Sequence, residues 1–342
     1  MKYSKEVIEN FLNLLEKETS LSLVSMELDM NPYEVLGLVS YIRESGINIA
    51  LNRTSDDINM VNMGDLKFHE KNTYSFKTDD NNTFKFIAIA DTRLGSKSQQ
   101  LSILEDIYRK GHEMGYDNVL LCGNISAGLY PLTDIYAETN FVNDTSEQID
   151  YIVNYYPYIE GMRTYFITGK IDDKHLKQNK INIGKRISDI REDMIYLGEN
   201  SCDIAIDNTI MQLLSCKLSK TYTVSYRTQQ QIDSYRSEDK PDILLYGGLL
   251  QTEKYTYRNV KCISVPSVCA TTKEMTEKRY SNTIGAWYVT VKTNEKGLLE
   301  SVNGLWSPYY VTAKDDYLKA KPIKGSTKKK ILTLNNRNNK ED

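Results

Sequence analysis

The sequence predicts an α/β sandwich preceded by a small helical module, and three observations carry that prediction. From Phe84 onward, short apolar runs of strand length alternate with longer amphipathic runs of helical period. Several of the apolar runs end in loops rich in Gly and Asp. Ahead of them, residues 4–45 hold three helix-period segments followed by two short stretches interrupted by polar residues.

In the first segment, Val7, Ile8, Phe11, Leu14 and Leu15 share one helical face over residues 4–18. A second helix is expected from Leu21 to Met30. A third starts at Pro32 behind Asn31 as its cap, buries Val35, Leu36, Val39 and Ile42, and stops at Gly46. Ile47 to Leu51 and the polar stretches up to Thr83 complete three helices and a hairpin, which is the pattern of a winged helix-turn-helix. The buried strands that follow are Phe84–Ala90, Asp117–Cys122 and Thr164–Thr168, separated by helices at Gln99–Met114 and Ser146–Tyr155. Short strands near Met194–Leu197, Cys202–Ile206, Thr209–Leu214 and Ile243–Tyr246 continue the series, and Ala286–Lys292 adds an outer one. The expected division is 1–80 for the helix-turn-helix, 84–312 for the sandwich and 313–342 for a basic, disordered tail.

The chain has 342 residues, 40% hydrophobic and 26% charged, and no apolar run long enough to span a bilayer. No membrane association is expected. The N-terminus lacks a secretory pattern, and five scattered cysteines without a CxxC pair suit free thiols in a reducing compartment, so a cytoplasmic protein is expected. The formal charge of −3 is unevenly spread. Residues 1–65 carry five Lys or Arg against eleven Asp or Glu, a net of −6, whereas residues 313–342 carry nine against four, a net of +5.

Five segments at the ends of the predicted strands hold the chemistry: Ala90-Asp91-Thr92-Arg93, Gly123-Asn124, Gly169-Lys170-Ile171-Asp172, the strand end at Ser215 and Cys216, and Gly247-Gly248-Leu249-Leu250. With their flanks Leu94-Gly95-Ser96, Gly128-Leu129-Tyr130-Pro131 and Tyr257-Arg258-Asn259-Val260, they make residues 84–310 resemble calcineurin-like metallophosphoesterases. The resemblance is strongest to bacterial and phage members with an N-terminal helix-turn-helix. In that family such loops present Asp-x-His, Gly-Asp, Gly-Asn-His-Asp, a lone His and Gly-His-x-His. Those side chains hold two divalent cations whose bridged hydroxide attacks a phosphate.

Set against that pattern, Asp91 keeps its expected side chain while Arg93 replaces the histidine. Asn124 stands for the bridging carboxylate, Lys170 for the amide ligand and Ile171 for the histidine that protonates the leaving group. Asp172 is retained, the lone His position falls at Ser215 or Cys216, and Gly248 and Leu250 fill the last two places. The three histidines, His69, His112 and His175, match no ligand position and read as surface or helix-end residues.

The resemblance therefore implies a pseudoenzyme: no catalytic residue, no metal and no cofactor, with a remnant pocket at the positions named. Arg93 and Lys170 either turn in on Asp91 to replace missing positive charge or are solvated loop-end charges. The alternative is a reduced phosphoesterase or nuclease site in which Asp91, Asn124 and Asp172, with Cys216 as a further donor, hold one divalent metal such as Mn or Mg.

A protein partner is expected for the acidic N-terminal module, whose third helix carries Arg43 alone against Glu34 and Glu44. Nucleic acid is the second expectation, through the Lys328-Lys329-Lys330 tail or the winged helix. A role in DNA metabolism rests on analogy of fold.

Overall fold

A computed structural model describes residues 3–44, 47–53, 57–65, 74–131, 133–218, 223, 225–235, 240–314 and 316–319. Two compact units divide the chain, Met1–Lys71 and Asn72–Asp342.

The first unit runs α1 (Lys5–Leu14), β1 (Thr19–Ser20), α2 (Leu21–Glu27), α3 (Pro32–Glu44), β2 (Ile47–Arg53) and β3 (Ile58–Asp65). Its helices start where the caps stand. Ser4 and Ser20 accept from Val7 N and Leu23 N, and Asn31 and Glu34 exchange side-chain-to-backbone bonds at 2.9 and 3.0 Å in a reciprocal box. The second helix ends before the expected Met30 because Asp29 adopts φ 50°. One side of each helix packs into a single core around Phe11, Leu15, Val24, Val35, Leu38 and Ile42, closed by Ile49 and Met60 from the sheet. That sheet has the order β1-β3-β2, and the two-residue β1 was not anticipated. Gly46, and residues 54–56 and 66–73 of the expected wing, His69 among them, lie outside the described residues.

The second unit holds β4 (Tyr74–Phe76), β5 (Thr83–Ile89), α4 (Leu101–Glu113), β6 (Asn118–Cys122), α5 (Thr145–Tyr155), β7 (Arg163–Thr168), α6 (Asp173–Asn179), α7 (Ile183–Ile190) and β8 (Met194–Glu199). It continues with β9 (Ser201–Ile206), β10 (Thr209–Ser215), α8 (Tyr226–Ser234), β11 (Ile243–Gly247), β12 (Glu253–Tyr257), β13 (Val260–Ser264), α9 (Lys273–Glu277), β14 (Gly285–Thr293), β15 (Leu299–Pro308) and α10 (Asp316–Lys319).

Two six-stranded sheets form, in the orders β15-β14-β5-β6-β7-β8 and β12-β13-β11-β10-β9-β4. In the first, β5 to β8 are parallel neighbours; in the second, β10, β11 and β13 are. Successive residues of a strand face opposite ways, and the layers follow from that alternation. Phe86, Ala88, Leu120 and Ile167 meet Ile204, Met211, Leu213 and Leu245 between the sheets. Ile87, Ile89, Leu121 and Phe166 face α4, α5 and α7 on one outer side, and Leu244 and Tyr246 meet Ile232 of α8 on the other. The expected α/β sandwich flanked by helices is what forms.

Three differences from the sequence reading have physical causes. Ala286–Lys292 is not the outer strand, because β15 covers it and is itself half-exposed and polar on one face. Tyr74–Phe76, read as part of the N-terminal module, pairs in parallel with β9. The start of the supposed tail is also ordered: Asp316 is buried and its carboxylate accepts from Leu101 N and Ser102 N, capping α4, whose own N-cap Gln100 makes no side-chain cap. Residues 320–342, with the Lys328-Lys329-Lys330 run, lie outside the described residues.

Candidate functional site

The five segments meet at the C-terminal ends of β5, β6, β7, β10 and β11, where the parallel strands deliver their loops to one place. The approach is so close that glycine is needed. A methyl on Gly123 would stand 2.5 Å from Ser215 Oγ and 3.2 Å from Gly169 Cα, and one on Gly248 would stand 2.2 Å from the Cys216 carbonyl oxygen. Asp91 N donates to Gly123 O at 3.0 Å and Arg93 N to Asn124 O at 3.1 Å, which locks the first loop onto the second.

Asp91 sits at the centre, fully buried. Its Oδ1 accepts from Arg93 Nε at 3.1 Å, Arg93 Nη2 at 3.0 Å and Asn124 Nδ2 at 2.9 Å. Its Oδ2 is buried with no hydrogen-bond partner. Asn124 turns its amide oxygen the other way and takes Ile171 N at 3.0 Å, so it ties the first loop to the third. Burial alone would push the Arg93 guanidinium down, but Asp91 outweighs it and holds the group above its ordinary value. Arg93 is only 5% exposed. Asp91, Arg93 and Asn124 have φ of 51°, 45° and 57°, so three residues of this centre hold left-handed backbone.

Asp172 lies in the same loop cluster but does not face Asp91. Its two oxygens accept from Ile125 N, Ser126 N, Ser126 Oγ and Gly169 N at 3.2, 2.9, 2.6 and 2.8 Å. Burial pushes its carboxyl up to about 6 despite those bonds. Beyond it runs a chain the sequence reading missed. Ser126 Oγ stands 3.1 Å from His175 Nε2, and His175 Nδ1 stands 2.9 Å from Thr145 Oγ1, which in turn accepts from Asn179 at 2.8 Å. His175 is therefore not a surface residue: it is fully buried in α6, and burial lowers it to about 4, leaving a neutral ring. Its position three residues after Asp172, on the first turn of the helix, was the signal available in the sequence.

Lys170 follows the second of the two readings, a solvated charge at the loop end. Its ammonium lies 3.5 Å from Asp173 Oδ2 with the side chain 47% exposed, because the turn into α6 carries it outward. Of the two cations considered for Asp91, only Arg93 reaches it. Ile171 is half-buried against Gly128, Gly248 and Leu250 are buried, and neither Gly248 nor Leu250 offers a side-chain donor. Ser215 and Cys216 both lie at the end of β10. Ser215 Oγ is the one that faces Gly123 and Gly169, buried and without a partner, while burial pushes the half-buried Cys216 thiol up to about 12. His112, at the end of α4, is exposed and bonds Asp117 at 2.7 Å. Among the described residues no three His, Cys, Asp or Glu side chains gather in a group suited to a metal.

No family model matches the chain, and no curated protein does. Solved structures do. An archaeal phosphodiesterase shares 11% identity over 66% of this chain and 100% of its own, with a TM-score of 0.37. A protein of Streptococcus pneumoniae TIGR4 described as a predicted phosphoesterase shares 12% over 66% and 98%, with a TM-score of 0.30. Vps29 of Entamoeba histolytica, solved with zinc, shares 12% over 66% and 99%, with a TM-score of 0.33. The larger unit's two six-stranded sheets flanked by helices are established by its own strand order. At such identities and TM-scores nothing about this chain is argued from these structures, and its chemistry must come from its own residues.

Proposed function

We propose that the protein binds or scaffolds without hydrolysing, and that the Asp91 centre is a structural core in which an arginine does the work of a metal. The observation that carries this reading is the Arg93 guanidinium, buried and bonded twice to Asp91 Oδ1. A pair of divalent cations needs several carboxylate or imidazole donors with free lone pairs. The donors here do not fit such a pair. Asp91 Oδ1 is taken by three N–H groups, Asn124 presents its NH2 to Asp91, and Asp172 is consumed by four donors. Calorimetric titration with Mn²⁺ and a phosphodiester hydrolysis assay test the proposal. No two-site binding and no turnover are expected; micromolar two-site binding with turnover would overturn it.

The reduced-site reading has one observation in its favour, the unpartnered Asp91 Oδ2. A single Mn or Mg would have that oxygen as its main free donor, since Asn124 Oδ1 already accepts from Ile171 N. The same titration separates the two readings, because one-site binding with turnover belongs to this one.

For the first unit a protein partner is favoured over duplex DNA. Arg43, the one basic residue of α3, spends its guanidinium on the Ile49 carbonyl, so no free cation on that helix is left for phosphate. A gel shift of the intact chain at physiological salt should show no duplex binding.

A further inference from the structure

A cleft of about 490 Å³ opens between the end of β10 and one side of α8. Leu214 to Lys217 form one wall and Arg227, Gln230, Gln231 and Ser234 line the other. That volume lies in the range of small-molecule sites, roughly 300–1,000 Å³. Its frame is firm. Ile232, one turn along α8, is buried against Leu244 and Tyr246, and Thr228 is bonded to the Ser225 carbonyl and to the Tyr255 hydroxyl.

The charge in this cleft is unbalanced. Lys217 and Arg227 both face it, no Asp or Glu is among its described walls, and among the described residues neither cation has an ion pair or hydrogen bond. Burial keeps the adjacent Cys216 thiol protonated, so it offers no compensating negative charge. The Gln231 side chain is likewise unengaged. An arginine fork beside a lysine point charge is suited to phosphate oxygens, the first by paired hydrogen bonds and the second by charge. Gln230 already donates to the Tyr226 hydroxyl at 3.0 Å and Ser234 to the Gln231 carbonyl at 2.7 Å, so among the described residues the Gln231 amide is what is left for a polar body.

We propose that this cleft binds a small organic phosphate of about nucleotide size, held by Lys217 and Arg227. A nucleic-acid strand fits less well, because strand grooves combine an extended basic track with aromatic stacking platforms, and the described walls have two cations and no aromatic side chain. The site stands apart from the Asp91–Arg93 centre, sharing with its loops only the end of β10, and does not depend on whether that centre turns over substrate.

Titration of the full chain with ADP, with inorganic pyrophosphate and with oligothymidylate tests it. Saturable one-to-one binding of ADP is expected, with pyrophosphate competing. Lys217→Gln and Arg227→Gln should each weaken binding about tenfold, the worth of one charge-assisted contact. Both residues are exposed, so the unfolding midpoint should not move, which separates lost binding from lost fold. The proposal is overturned by no saturable binding of either phosphate, by variants that bind as tightly as the parent, or by oligothymidylate binding tighter than ADP with a salt slope of more than two contacts.

Discussion

Asp91 and Arg93 are buried as a pair, and a buried charge left alone is far more costly than a pair removed together. Arg93→Met should therefore cost about 3–5 kcal/mol, and adding Asp91→Asn should recover much of it. Urea unfolding of the two single variants and the double variant measures the coupling; strictly additive losses would show that the pair is not a unit.

Asp172 and His175 give a second expectation, in which the signs oppose. The raised Asp172 carboxyl contributes stability that is full below its ordinary 3.8 and is lost as pH rises to about 6. The depressed His175 contributes stability that is full above its ordinary 6.5 and is lost as pH falls to about 4. Each contribution is worth about 3 kcal/mol at 1.36 kcal/mol per unit, so between pH 4 and 6 their opposite slopes nearly cancel. Asp172→Asn should expose the histidine slope, giving a protein that weakens as pH falls through that window. His175→Asn should weaken as pH rises. Unfolding midpoints across that range would refute the pairing if both variants tracked the parent.

At the level of elements, the loops fit only because glycines let the backbones touch. Gly123→Ala combines φ of 88° with a contact of 2.5 Å to Ser215 Oγ, and should destabilise by about 1–3 kcal/mol. The cap supplied to α4 from the far end of the chain makes a separate prediction. Asp316→Ala should cost about 1 kcal/mol and speed amide exchange at Leu101 and Ser102 more than elsewhere in α4.

These elements also mark where the sequence was readable. Strands β5, β6, β7 and β11 are buried on both faces, so they read as continuous apolar runs. Strands β12 and β15 alternate with exposed positions and carry polar residues, and they were missed. Arg93 was legible because its chemistry differs so sharply from the histidine it replaces. Lys170 was not, because the direction of its side chain is set by the turn into α6 and by Asp173, which a motif does not encode.

Across the whole molecule, charge and fold separate the readings. Among the described residues no helix is long and apolar enough to cross a membrane. A ligand that binds only the folded state raises stability, by about 4 kcal/mol at a thousand times its Kd. Excess Mn²⁺ should thus leave Tm unchanged if Arg93 fills the centre, and a rise of several degrees would count against it.

One consequence of the Arg93–Asp91 contact concerns supply. A bound metal ion must be acquired, can be stripped by a chelator and is exchanged for whichever ion is abundant. A guanidinium attached to the backbone does none of these things. On the proposed reading the loops it gathers do not depend on metal availability, so chelation during purification, or metal scarcity in a cell, should leave the folded population unchanged.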